Sequence, residues 1–233
     1  MRNTKIKICD IRDIQTAQYC EKQGIDFLGI HQIKYPLTEE KRDLVNEIKA
    51  RVYNTKTVLV TYENKLDKLL EMCLACDWDY IQLHFTIKPE DVVSLRNDLL
   101  RNFSKAGIIS VIDTSNLTEY SIEKLSNVSD LILFDSSIRG GTGIPSKEED
   151  LKRATEIAKD KKFFIAGGLN PNNVADFIRN YKPYAVDVQS GVEFSNIGIK
   201  HKKDPERIKS FINAVEMCDK SNIQKANDKR EDR

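Results

Sequence analysis

The sequence lacks any run of about 18 consecutive apolar residues, the length that a helix needs to span a bilayer. Its first ten residues, MRNTKIKICD, become polar too early to resemble a secretory signal. An excess charge of one sign is also lacking, because 37 lysines and arginines offset 36 aspartates and glutamates to a formal charge of +1. We therefore expect no membrane contact, no nucleic-acid partner and a cytoplasmic location.

A disulfide pattern is lacking as well. The five cysteines are an odd set without the spacing of secreted disulfide-rich domains, so we expect reduced thiols. Cys73 and Cys76 form a C-x-x-C pair, but they lie inside LDKLLEMCLACDW, a segment typical of a helix interior. Redox-active pairs prefer a helix start, so we expect neither a redox nor a metal role for this pair.

What the sequence does contain is an alternation of short apolar runs and amphipathic segments. The eight runs are KIKIC (5–9), FLGIH (27–31), TVLVTY (57–62), YIQLH (80–84), GIISVID (107–113), LILFD (131–135), FFIAGG (163–168) and AVDVQSG (185–191). Each has the length of a strand buried on both faces. Eight strand–helix units without a long linker predict a closed parallel (β/α)8 barrel, the TIM-barrel fold of the α/β class. An open doubly wound sheet is the alternative, but it usually has fewer strands at this length.

The expected domain organisation is a single barrel over residues 1–218, followed by a polar tail over residues 219–233 that ends in QKANDKREDR. Two helix starts are marked by an N-cap residue followed by proline at the first helical position. These pairs are Asn170 with Pro171, and Asp204 with Pro205.

In a TIM barrel the active site lies at the carboxyl ends of the strands. The polar residues expected at that face are Cys9, His84, Asp113, Asp135 and Asp187. Three glycine-bearing loops follow the last three strands, and glycine lets backbone N–H groups approach an anion closely. We therefore predict a phosphate site. Its residues are Gly140, Gly141, Gly167, Gly168, Ser190 and Gly191.

Several motifs, in chain order, resemble phosphoribosylanthranilate isomerase. They are KIC near the start, QLH at the fourth strand, FDS with GGTG at the sixth, FIAGGLNPNNVADFI at the seventh, YAVDVQSGVE at the eighth, and KDPERIKSFI. The resemblance runs from about Lys5 to Val215 and implies a β/α barrel without metal or organic cofactor. It also implies an aldose–ketose isomerase, an intramolecular oxidoreductase. This family converts an N-linked phosphoribosyl arylamine to the aminodeoxyribulose phosphate, an Amadori rearrangement of tryptophan biosynthesis.

The resemblance implies that Cys9 is the general base at C2 of the sugar and that Asp135 is the general acid for ring opening. The ordinary alternatives are a small buried cysteine and a loop or capping aspartate. Asp187 matches an aspartate near the reacting sugar, although pairing with a lysine such as Lys7 is the alternative. His84 matches a family histidine, for which a purely structural role is the competing interpretation.

Two stretches depart from the family pattern. Where the family cysteine is followed by glycine, isoleucine and threonine, this chain has CDIR, which places Asp10 and Arg12 beside Cys9. In the family an arginine after the second strand grips the anthranilate carboxylate. The segment GIHQIKYPLTEE has no arginine, and its polar groups include His31 and Gln32. A lysine does not replace the bidentate geometry of arginine.

We therefore expect a phosphorylated small-molecule substrate held by Asp187, His84, Arg12, His31 and Gln32, in a monomer or homodimer. Three hypotheses on activity remain open: the family reaction, isomerisation of a different phosphorylated sugar amine, and a phosphosugar-binding barrel with other chemistry or no turnover. Without the arginine, phosphoribosylanthranilate is expected to be a poor substrate, unless Arg12 supplies the missing bidentate contact to the carboxylate.

Overall fold

The computed structural model describes residues 2–113, 119–135, 148–158, 160–195 and 201–231. Eight parallel strands pair in chain order, and β1 also pairs with β8, so the sheet closes into a barrel. The strands are β1 (Lys5–Ile8), β2 (Phe27–His31), β3 (Lys56–Thr61), β4 (Tyr80–Leu83), β5 (Gly107–Asp113), β6 (Leu131–Asp135), β7 (Phe163–Ile165) and β8 (Ala185–Val188). The predicted TIM barrel is confirmed.

A helix follows each strand in the described part of the chain. The helices are α1 (Ile14–Lys22), α2 (Glu39–Arg51), α3 (Leu66–Leu74), α4 (Pro89–Arg101), α5 (Glu119–Val128), α6 (Glu148–Ile157), α7 (Val174–Tyr181) and α8 (Pro205–Glu231). Cys73 is buried inside α3, as its apolar surroundings predict, but Cys76 lies beyond the end of that helix, so the expected helix interior is wrong for the second cysteine. None of the helices described is both long and apolar enough to cross a bilayer.

Strand periodicity divides the side chains into two layers. Successive residues of a strand point to opposite faces, so one set packs against the helices and the other fills the barrel. In β1, Ile6 and Ile8 belong to the larger core beneath the helices. Cys9 belongs to the smaller inner core with Phe27 and Phe164. Side chains on the inner face, at the carboxyl ends of the strands, therefore lie at the opening of the barrel.

The two marked helix starts differ in outcome. α8 begins at Pro205 as predicted, and Asp204 Oδ1 accepts a hydrogen bond from the backbone N of Glu206 at 2.9 Å. α7 begins at Val174, three residues later than Pro171. Asparagine side chains stabilise a turn in the intervening segment, since Asn173 Oδ1 accepts from the backbone N of Asn170 at 2.8 Å.

The last helix continues through residue 218, the boundary expected between barrel and tail. Asp219 is buried and accepts hydrogen bonds from the backbone N of Asn3 at 2.7 Å and of Thr4 at 2.9 Å. Its other oxygen accepts from the Thr4 hydroxyl at 2.9 Å. α8 is thereby fastened to the segment that leads into β1.

Candidate active site

A cavity of about 370 Å³ lies where the carboxyl ends of the strands meet. Its volume lies within the usual range for small-molecule sites. The lining residues are Cys9, His31, Ile33, Tyr62, Gln82, His84, Asp135, Ala166, Gly167, Gly168, Leu169, Asp187, Gln189 and Ser190. Four predicted polar residues of this face, Cys9, His84, Asp135 and Asp187, therefore share one cavity. Asp113 ends β5 as the register partner of Asp135, but its side chain is outside the described part of the structure.

One side of the cavity carries a chain of four titratable groups. Lys7 Nζ donates to Asp187 Oδ2 at 2.6 Å and to Cys9 Sγ at 3.2 Å. His31 Nε2 lies 3.1 Å from the same sulfur. Because Lys7 and Asp187 are register partners in β1 and β8, both point into the barrel. Asp187 thus has both roles considered for it: it pairs with Lys7 and lines the cavity.

Burial dominates the electrostatics of this chain of groups. It raises the pKa of the Cys9 thiol to about 11, although the Lys7 ammonium opposes the shift. Burial lowers the pKa of His31 to about 3, against the favourable effect of the Asp10 carboxylate. For Lys7, burial disfavours the charge, but Asp187 and Cys9 outweigh it and the pKa is raised. Near neutral pH the groups are therefore a thiol, a neutral imidazole and a lysine–aspartate ion pair.

The other side of the cavity is built around Asp135, the last residue of β6. Its Oδ2 lies 3.6 Å from His84 Nε2. The Gln82 amide donates to His84 Nδ1 at 3.1 Å, which leaves the ring proton on Nε2, facing Asp135. Tyr62 stacks on the His84 ring with centroids 4.8 Å apart. His84 is therefore a firmly held residue that also presents an N–H beside the proposed acid.

Two buried oxygens on the cavity wall, Gln82 Oε1 and Asp187 Oδ1, have no hydrogen-bond partner among the described residues. Leaving a buried acceptor unpaired is costly, so such atoms call for an explanation. Both are acceptors, and both belong to residues that line the cavity. A ligand with hydroxyl donors at these two positions would satisfy them.

The two described glycine loops meet at another part of the wall. Gly167 and Gly168 adopt φ values of 95° and 66°, the left-handed region that favours glycine. Ser190 begins a short 3-10 helix, Ser190–Val192, and lines the cavity with both glycines. Gly140 and Gly141 lie outside the described residues. The described loops therefore bring backbone to the cavity wall, and the phosphate site there stays a prediction.

Gly191→Ala is expected to destabilise the protein by about 1–3 kcal/mol, the usual cost of overpacking. A Cβ at this position would lie 1.9 Å from the backbone oxygen of Leu169, so one of the two loops must move. Urea unfolding measures the change in stability, provided that the m-value stays constant. Ser190→Ala is the matched control, and equal stability of the two variants would contradict the prediction.

Two predicted substrate contacts are not brought to the cavity. Arg12 Nε donates to Asp10 Oδ1 at 3.0 Å, and Arg12 Nη2 lies 2.9 Å from Asp10 Oδ2. Gln32 Nε2 donates to the backbone oxygens of Lys34 at 2.7 Å and Pro36 at 3.0 Å. Neither Arg12 nor Gln32 lines the cavity, whereas His31 does. Both side chains therefore bind groups two to four residues away in the sequence, and not the cavity.

Sequence reasoning missed Tyr62, Ile33 and Gln82 as cavity residues. Gln82 is the first letter of the QLH motif, and strand alternation places it on the same face as His84, two residues on. Tyr62 directly follows β3. The signal was available for Gln82 and also for Tyr62, which ends the run TVLVTY and alternates with the inner-core residues Val58 and Val60. Nothing in the local sequence distinguishes Ile33 from other loop residues.

Comparison with known proteins gives consistent results. The family model for N-(5'-phosphoribosyl)anthranilate (PRA) isomerase matches residues 6–214. A Bacillus cereus protein named N-(5'-phosphoribosyl)anthranilate isomerase is 32% identical over 222 residues, which cover 93% of this chain and 100% of the relative. A Leptospira borgpetersenii protein of the same name is 33% identical over 224 residues, with 92% and 95% covered.

The fold comparison agrees. The crystal structure of phosphoribosyl anthranilate isomerase from Thermotoga maritima has a TM-score of 0.70 at 24% identity, covering 91% of this chain and 98% of that one. At this identity the likeness speaks for the fold alone. The family model and the two sequence relatives show more, since each spans nearly the whole barrel. The chain therefore belongs to the N-(5'-phosphoribosyl)anthranilate isomerase family.

Proposed function

We propose that this chain catalyses the cofactor-independent Amadori isomerisation of an N-linked phosphoribosyl amine, with N-(5'-phosphoribosyl)anthranilate as the first candidate substrate. The observation that carries the proposal is that Cys9 and Asp135, the base and acid positions of the family, line one cavity. Cys9 directly follows β1 and Asp135 ends β6, and these strands lie apart around the barrel, so a sugar can be held between the two side chains. Metal or organic cofactor chemistry is not needed for this reaction.

Ring opening is assigned to Asp135. The carboxyl gives its proton to the ring oxygen, the bond from that oxygen to C1 breaks, and the nitrogen lone pair forms a C1=N double bond. A proton donor placed at the leaving oxygen lowers the barrier of such a step. The N–H of His84, 3.6 Å from Asp135, stabilises the carboxylate that remains.

Proton transfer at C2 is assigned to the Cys9 side. The C2–H bond breaks, its electron pair forms C1=C2, and the C1=N electrons return to nitrogen. Reprotonation of C1 and loss of the C2 hydroxyl proton to Asp135 then give the ketose and restore both groups. A base and an acid at separate positions suit this order of steps.

Binding of the sugar phosphate is assigned to the remaining polar wall. Gln82 Oε1 and Asp187 Oδ1 accept hydrogen bonds from ribose hydroxyls, which satisfies both buried oxygens. The phosphate is held by backbone N–H groups of Gly167, Gly168 and the Ser190–Val192 turn. Gly140 and Gly141, which stand between β6 and α6 in the sequence and lie outside the described residues, belong to the predicted site as well.

The part of the cavity that faces the amine substituent favours a second candidate substrate. Tyr62, Ile33 and His31 line it, and the described lining residues include no arginine. A carboxylate there loses a charge-assisted hydrogen bond worth roughly 1.5–3 kcal/mol. A phosphoribosyl amine whose ring bears no carboxylate is therefore the alternative to the anthranilate compound.

Steady-state kinetics with two matched substrates tests both the proposed reaction and the proposed substrate. We expect turnover of the phosphoribosyl adducts of both anthranilate and aniline. A kcat/KM for the aniline adduct at least equal to that for the anthranilate adduct assigns the second candidate substrate. A preference for anthranilate of ~100-fold, the upper end of what the missing hydrogen bond is worth, assigns the first candidate substrate instead. Complementation of a tryptophan auxotroph that lacks the isomerase would support that result. No turnover of either adduct would contradict the proposed function.

The cytoplasmic location and the monomeric or homodimeric state remain predictions.

A further inference from the structure

We propose that His31 is the proton acceptor for Cys9, so that a Cys9–His31 pair, rather than the thiol alone, removes the C2 proton. The inference rests on the proposed function for its chemistry, but the pairing itself concerns the free protein. The resemblance to the family assigns the base to the cysteine, and nothing in the family motifs calls for a histidine at this position.

The strand geometry places the two side chains in contact. His31 ends β2, and its Nε2 lies 3.1 Å from Cys9 Sγ. Gly29, two residues earlier on the same face of β2, leaves the space that the sulfur occupies. A Cβ at position 29 would lie 2.7 Å from Sγ. The Cys9 sulfur thus lies in the space beside Gly29, and the imidazole of His31 contacts it from two residues further along β2.

The polar neighbours of the Cys9 sulfur indicate which of the two groups, Cys9 or His31, donates the hydrogen bond between them. The sulfur has two polar neighbours in the described structure, Lys7 Nζ and His31 Nε2. An ammonium can only donate, so Lys7 occupies a lone pair of the sulfur. A neutral imidazole that carries its proton on Nδ1 accepts at Nε2, and in this tautomer the thiol proton is directed at His31 Nε2.

The relay consists of two linked proton transfers, from C2 to Cys9 and from Cys9 to His31. The C2 proton joins Sγ while the thiol proton moves to His31 Nε2, and the C2–H electron pair enters the C1=C2 bond. The reverse transfers deliver a proton to C1 and restore the thiol and the neutral imidazole. In the free protein burial raises the pKa of Cys9 to about 11 and lowers the pKa of His31 to about 3, so the thiol does not give its proton to the imidazole in a separate step. The relay therefore requires that the thiol proton move to His31 in concert with transfer of the C2 proton to the sulfur, and it needs no free thiolate.

A departure from the family motif supports the same pair. Asp10 stands where the family has glycine, at a φ of 61°, and is almost fully buried. Its carboxylate is the group that favours the charged form of His31. Two unusual residues, Asp10 and His31, therefore act in the same direction: one accepts the proton and the other stabilises the resulting imidazolium.

Substitution of His31 tests the catalytic part of the inference. His31→Gln, of similar size but unable to take up a proton, is expected to lower kcat by ~10²-fold with KM within about threefold. With substrate deuterated at C2, the isotope effect on kcat should rise. Added imidazole should restore part of the turnover of His31→Ala. A His31→Gln variant with kcat near wild type would overturn the inference.

Alkylation of the free protein tests the pairing without any substrate. In a Cys76→Ser background, which removes the half-buried cysteine, iodoacetamide labelling of Cys9 is followed by mass spectrometry at pH 8. His31→Leu is expected to slow this labelling by about tenfold, because Cys9 loses the imidazole that takes up its proton as the sulfur attacks. Cys9→Ser marks the zero of the assay. An unchanged rate in a folded His31→Leu protein contradicts the pairing, even if no phosphoribosyl amine is turned over.

Discussion

Asp135→Asn is expected to lower kcat for the isomerisation by ~10²–10⁴-fold, the usual effect of losing a positioned acid. The amide keeps the shape of the carboxyl group at the end of β6, but its N–H protons are too weakly acidic to be given to the ring oxygen. Binding should survive, because the phosphate loops and the acceptors at Gln82 and Asp187 are unchanged. Single-turnover kinetics separates the two effects, and the affinity for a reduced, unreactive product analogue reports on binding.

Cys9→Ala is expected to produce a loss of the same order, ~10²–10⁴-fold, at the C2 step. Cys76→Ser is the matched control, since that cysteine follows α3 and does not line the cavity. The two active-site variants should differ in one respect. Asp135→Asn should bind the ring-closed form without opening it, whereas Cys9→Ala should still open the ring. Near wild-type turnover by either would remove that residue from its assigned role.

Lys7→Met is expected to lower the free energy of unfolding by about 3–5 kcal/mol, the usual cost of breaking a buried ion pair at one partner. Lys7 has no exposed surface, and its bond to Asp187 measures 2.6 Å. Methionine fills the space of the lysine stem but leaves the carboxylate buried beside a thiol. Chemical denaturation measures the loss, and substituting Asp187 as well, in Lys7→Met with Asp187→Leu, should recover much of it.

Lys5→Met provides the matched control for this prediction. Lys5 lies in the same strand and pairs with Asp26 at 2.8 Å, but 41% of its side chain is exposed. Surface pairs contribute about 0–1 kcal/mol, so this variant should be close to wild type in stability. Equal losses in the two lysine variants would mean that the barrel interior does not isolate the Lys7–Asp187 pair from solvent.

The fold could be predicted from the sequence because parallel strands buried on both faces leave a strong signal. Runs such as LILFD and TVLVTY consist mainly of apolar and β-branched residues, and β6 and most of β3 lie within those runs. Helix boundaries were less predictable. The Asn-Pro-Asn-Asn segment at residues 170–173 has the marks of a helix start, but its asparagine side chains bond locally and delay α7 to Val174.

The site was predictable only in part, for a related reason. Cys9, His84, Asp135 and Asp187 were placed correctly in one cavity, because each lies in or directly beside a strand whose direction fixes its position. Arg12 was expected to reach the substrate, but it forms an ion pair with Asp10, two residues away.

The contact of His31 with Cys9 joins neighbouring strands at a particular register. A sequence pattern within one strand does not reveal which residues of two strands lie side by side. The register of β1 and β2 pairs Lys7 with Phe27 and Ile8 with Leu28. Only with that pairing known does the open space at Gly29 fall beside the cysteine sulfur.

The bonds from Asp219 to Asn3 and Thr4 affect the order in which the molecule assembles. They join residues 216 and 215 positions apart, and β1 completes its pairing only when β8 is present. Contacts between such distant parts of a chain form slowly, because a very large loop must close first. During synthesis the earlier β/α units emerge while β1 still has one open edge. Barrel closure is therefore a late event that waits for β8, and the bonds from Asp219 to Asn3 and Thr4 can form only after that, once this part of α8 has also left the ribosome.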